Sequence, residues 1–164
     1  MNGHEIISGT TVLTRIGYSH HGGKQFAPYF PPKAVIAEHL DFAAHHGGRV
    51  LWVYSMQNSS SLKDIDHIIL WALKTDLMLI GDVAASGKYY DPEEWDDESY
   101  RRPKPWNVMP GRFWFALDNV RQFKGLAPAD YTYVTEAEKK PLSEVNYRNG
   151  RIPVARIIPK EGAD

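Results

Sequence analysis

Alternation of apolar and polar positions marks out the strands of this chain before anything else is considered. Residues 10–16 (TTVLTRI) are β-branched and alternating, and Gly17 stops the run. Residues 49–55 (RVLWVYS) give the clearest strand, closed by the turn-rich 57–61. Further strands are predicted at 77–84, 112–120, 131–134 and 152–158, with a hairpin turn at Asn149-Gly150. One helix stands out from Lys33 to about His46: Pro31-Pro32 opens it, Ile36, Leu40 and Ala43 share a face, and Gly47-Gly48 ends it. The segment 62–73 fits both periods, since Ile65, Ile68, Ile69 and Leu73 suit a helix while Ile68-Ile69-Leu70-Trp71 suits a strand; we read it as a short helix. Residues 18–25 form a loop, and 86–110, acidic between Asp91 and Glu98 and rich in proline, form a long excursion. Strands joined mostly without helical crossovers predict an α+β fold, a small mixed β-barrel with two or three flanking helices, in one domain over 1–164.

Length and composition narrow the classes. At 164 residues with 43% hydrophobic and 24% charged positions, the chain is long enough for a substantial core and is neither disordered nor coiled coil. The absence of cysteine removes disulfides, thiol nucleophiles and thiolate-bound zinc. No apolar run reaches membrane-spanning length and residues 1–11 have no signal-peptide pattern, so a soluble cytoplasmic protein is expected. A net charge of −1 excludes a uniformly basic coat, but the charges are unevenly spread. Arg101, Arg102, Lys104 and Arg112 fall in an acid-free stretch, as do Arg148, Arg151, Arg156 and Lys160.

The order of motifs resembles the PUA-like superfamily and, within it, the EVE domains. Gly48-Arg49-Val50-Leu51-Trp52-Val53-Tyr54-Ser55 is similar to that family's G-D-x-V-L-F-Y-H-S strand, and Leu79-Ile80-Gly81-Asp82-Val83 to its G-I-G-E-V strand. Tyr89-Tyr90-Asp91-Pro92 resembles its Y-x-D-P excursion, and Arg112-Phe113-Trp114-Phe115-Ala116-Leu117 the R-W-x-x-V-x-V strand that follows. The matches cover about 48–120, in order. The family's W-x-G-V-R-N-Y stretch has no counterpart; Tyr18-Ser19-His20-His21-Gly22-Gly23 stands in its place. The resemblance implies a non-enzymatic domain that takes a flipped or modified nucleobase into the barrel mouth, with DNA or RNA as partner and a second protein supplying any effector activity.

A base reader needs rings to stack on, polar groups for the base edge and cations for phosphates. Trp106, in the irregular 105–110, is the preferred stacking residue, with Trp114 and Tyr54 beside it. Trp52 is the further candidate ring, read with Trp114 as core. Trp52 and Tyr54 share one strand face while Leu51, Val53 and Ser55 share the other, so the two groups cannot both line one pocket. Ser19, His20 and Ser55 are the candidates for edge recognition, and Arg101, Arg102, Lys104 and Arg112 for phosphates. The histidines lack metal-ligand spacing, so no metal or other cofactor is expected; His45-His46 complement a helix C-terminus. Two alternatives stay open. One is a small amidohydrolase of the ASCH type acting on a modified nucleoside, with Lys24 as its active amine; the other is a protein-interaction domain with its aromatics in core and partner surface.

Overall fold

A computed structural model describes residues 7–16, 31–54, 62–72, 75–104, 106–135, 137–145 and 154–160. They form an α+β fold: strands β1 (Thr11–Ile16), β2 (Val50–Tyr54), β3 (His67–Ala72), β4 (Met78–Tyr90), β5 (Gly111–Phe123), β6 (Tyr131–Val134), β7 (Lys139–Pro141) and β8 (Val154–Pro159), with helix α1 (Pro32–Ala44) between β1 and β2. All eight strands belong to one sheet, ordered β2-β5-β4-β3-β1-β8-β6-β7. Among the described strands only β1 and β3 pair in parallel, with α1 and β2 lying between them in the chain.

The predicted barrel is corrected. β2 and β7 are the two ends of the strand order, so the sheet is open, and among the described residues α1 is the single α-helix. It is nevertheless strongly curled. β1 and β2 are four places apart in the order, which in a flat sheet would hold them roughly 19 Å apart. Yet Thr14 Oγ1 and Tyr54 Oη approach to 2.5 Å across the concave face.

The helix expected over 62–73 is also corrected, to strand β3. Ile68, Ile69 and Leu70 are all fully buried, because β3 lies between β1 and β4 and is covered on both faces. A strand covered on both faces has no polar alternation, and its continuous apolar run imitates a helix segment. The excursion starts later than the composition suggests, since β4 runs to Tyr90 and 86–90 belong to the sheet. A reversal occurs there. Ser86 and Lys88 pair with Phe115 and Phe113 on the concave side, but Tyr90 packs with Leu51, Val53 and Ala116 on the convex side. The intervening Tyr89, at φ +62°, breaks the alternation.

Side-chain parity sorts the core. On the concave side, Val50, Trp52 and Tyr54 of β2, Phe113, Phe115 and Leu117 of β5, Ile68 and Leu70 of β3 and Val12 of β1 pack with Val35, Ile36 and Ala43 of α1. On the convex side, Leu51, Val53, Tyr90 and Ala116 are covered by Trp95, Tyr100 and Trp114. A third cluster, with Leu13, Ile69, Ile80, Tyr131 and Ile157, fills the opposite face near β8 and β6. No helix among the described residues is long and apolar enough to cross a membrane.

Candidate functional site

The buried stripe of α1 is Pro32, Val35, Ile36, His39 and Ala43. The fourth of these is a polar, titratable side chain in an otherwise apolar row, pressed into the concave face at 1% exposure. Its ring lies 5.1 Å from Trp52, edge-on at 67°, and 4.9 Å from Trp106, tilted at 38°. Trp52 in turn stands perpendicular to Tyr54 at 5.8 Å, and Tyr54 to Phe115 at 5.9 Å. The result is a continuous aromatic lining, walled by helix and excursion and floored by β2 and β5.

The polar atoms inside this lining are unevenly satisfied. His39 Nδ1 donates to the Val35 carbonyl at 2.8 Å, which makes Nε2 the acceptor nitrogen of a neutral imidazole. Nε2 is buried and has no hydrogen-bond partner among the described residues. Burial lowers the His39 pKa to about 3, partly opposed by the Val35 bond and assisted by the nearby Arg102 charge. Trp52 Nε1, a donor, reaches towards the Tyr54 hydroxyl but forms no well-aligned hydrogen bond among the described residues. Burial also pushes the Tyr54 hydroxyl far above its usual range, against the opposing effects of Thr14 and Trp52. One unmet acceptor and one unmet donor thus face an aromatic interior. In a well-packed core each would cost about 1–3 kcal/mol.

The concave face meets solvent along β4. Ser86 and Lys88 are exposed although they pair with the buried Phe115 and Phe113 on the same face. Tyr89, beside Lys88, is 75% exposed, and the register brackets it opposite Arg112, also exposed.

The predicted residues fall in different places. Tyr54 and Trp106 come together around His39 and Trp52, but Trp106 is 3% exposed, an inner wall and not a surface platform. Trp114 is on the opposite, convex face, edge-on to Trp95 at 4.9 Å. Arg102 is drawn inside. Nη1 donates to the Met109 carbonyl at 2.9 Å, the guanidinium sits 5.5 Å above the Tyr90 ring, and burial lowers its pKa to about 10. It ties down the excursion, together with the bond from Tyr90 Oη to the Asn107 carbonyl. Arg101 is ion-paired with Glu98. Lys104 and Pro103 line a surface cleft of about 380 Å³ shared with Glu38, Asp41, His45 and His46, where carboxylates offset the lysine. Arg112 and Lys88 form no ion pair among the described residues. Ser19, His20, Lys24 and Ser55 lie outside the described residues.

Sequence reasoning missed His39 and Lys88. The signal for the first was available: a histidine three residues after Ile36 and four after Val35 continues the apolar stripe, where polar groups are costly. The signal for Lys88 was not, because its face depends on the register of β4 against β5. Among the described residues no group of three His, Asp or Glu side chains is placed to hold a metal ion. His67 Nδ1 lies 3.0 Å from Asp82 Oδ1, and Asn119 Nδ2 donates to Asp82 Oδ2 at 3.4 Å. No hydroxyl nucleophile bonds to this pair among the described residues. Comparison with family models, with curated proteins and with solved structures found no significant match.

Proposed function

We propose that this chain is a nucleic-acid-binding domain of the PUA-like, EVE-like kind, without catalytic activity of its own, that takes a flipped or modified nucleobase onto the concave face between α1 and the sheet. The observation that carries this reading is the aromatic lining of His39, Trp52, Tyr54 and Trp106, with a buried acceptor and a buried donor inside it that form no well-aligned hydrogen bond among the described residues. A nucleobase is planar and presents hydrogen-bond groups on its edge, so it supplies both things this interior lacks. Lys88 stands on the same face where that face reaches solvent, at a position suited to a flanking phosphate.

The rings touch one another, so a base must part Trp106 from His39. Trp106 is carried on the excursion and not on the sheet, and its backbone is held by the short-range bonds Trp106 N to Pro103 O and Met109 N to Trp106 O.

The test is a fluorescence-polarisation titration of labelled DNA and RNA oligonucleotides, each with and without a modified base, at two salt concentrations. Salt-sensitive binding that is tighter for one modified probe supports the reading. Flat traces over the whole set at micromolar protein overturn it.

A further inference from the structure

Resting on the base-binding reading above, we infer that the ring taken up must carry an N–H directed at His39 Nε2 and a lone pair directed at Trp52 Nε1. The site then accepts N-heterocycles with donor and acceptor side by side, and rejects those whose edge nitrogen is fully alkylated.

The tautomer of His39 is not free to adapt. Val35 O is an acceptor only, so the hydrogen bond it receives at 2.8 Å fixes the proton on Nδ1 and leaves a lone pair at Nε2. A second proton is opposed by burial and by the adjacent Arg102 guanidinium, so Nε2 stays an acceptor across the physiological range. Trp52 is constrained in the opposite sense, because an indole nitrogen only donates. The two rings are 5.1 Å apart and yet do not satisfy each other. Their unmet demands therefore fall to a third group. A ligand without an N–H leaves Nε2 buried beside a second dry surface, and a site that hydrogen-bonds a ligand N–H discriminates strongly against an analogue that lacks it. The required pair occurs on the amino edge of cytosine or adenine and on the lactam edge of thymine or guanine, and methylation at nitrogen separates these sources.

The experiment uses the full chain and single-stranded oligonucleotides with one central base: cytosine, N4-methylcytosine or N4,N4-dimethylcytosine in one arm, thymine or N3-methylthymine in the other. Polarisation titrations should show at least one arm in which affinity is held while an N–H remains and falls about tenfold or more when the last one is methylated. His39→Phe keeps a ring against Trp52 and Trp106 but removes the acceptor, and should bring the last two members of that arm within about twofold of each other. A purely steric rejection would survive in this variant, and that result would overturn the inference. Equal affinity throughout both arms of the unsubstituted protein would also overturn it, while leaving base binding intact. Failure of every oligonucleotide to bind would overturn the base-binding reading itself. Should His39→Phe not fold, Trp52→Phe serves as the second variant: it should weaken the arm as a whole and leave the N–H discrimination in place.

Discussion

Acidification is the most direct perturbation of the buried imidazole. With an ordinary value of 6.5 and a folded value of about 3, His39 binds a proton in the unfolded chain, but not in the native one, over the whole interval between. Stability therefore rises with pH through that interval and is lost as pH falls from 6.5 towards 3. The loss is about 2 kcal/mol between pH 7.5 and pH 5, and on the order of 4 kcal/mol by pH 3. Urea unfolding followed by tryptophan fluorescence, at constant ionic strength and at pH 7.5 and 5, measures the first figure. His39→Phe supplies the control. It keeps the ring between Trp52 and Trp106, and the carboxylates and other histidines are common to both proteins. The difference in pH dependence between the two proteins should be about 2 kcal/mol, the unsubstituted protein being the more acid-sensitive. Parallel pH dependences would show that His39 is protonated or solvated in the native state. That outcome would also remove the fixed acceptor on which the ligand selectivity rests.

Other perturbations separate structural from recognition roles. Trp106→Ala should lower stability by about 3 kcal/mol, as expected for a buried tryptophan, whereas Trp106→Phe should stay folded by circular dichroism and weaken oligonucleotide binding. Tyr89→Gly should stabilise the fold by about 1 kcal/mol in urea titrations, because φ +62° strains a side chain but not glycine, while weakening any binding that uses the exposed ring. Lys88→Ala and Arg112→Ala should each reduce the slope of log affinity against log salt by about 1, while Arg102→Met should leave the slope unchanged and cost about 1–3 kcal/mol of stability by freeing the Met109 carbonyl. Gly111→Ala should destabilise by about 1–3 kcal/mol in thermal melts, since its Cβ would collide with Val53 Cγ1.

Where a face is half-buried, the local pattern carries the structure by itself. β1, β2, β5 and α1 were legible because alternation or a helical stripe marks one side as apolar, and proline and glycine punctuate the helix at Pro31-Pro32 and Gly47-Gly48. The same parity placed Trp52 with Tyr54 and apart from Leu51 and Val53, as the two sides of the sheet show. β3 was not legible. Its burial on both sides follows from its neighbours β1 and β4, which lie far from it in the chain or bend back onto it, and a run of Ile68-Ile69-Leu70 has no polar residue to reveal a period.

The candidate site divides along the same line. Its residue types, tryptophans, a tyrosine and scattered cations, were readable in the sequence. Which of them meet was not. The curl of the sheet brings β1 to β2 and joins Thr14 to Tyr54, the reversal at Tyr89 sends Tyr90 outward and leaves Lys88 on the concave face, and the folding back of the excursion seats Trp106 on His39 and buries Arg102. Local sequence governs periodicity and therefore faces. Contacts between residues distant in the chain depend on sheet curvature and strand order, and these are settled only when all the strands pack together.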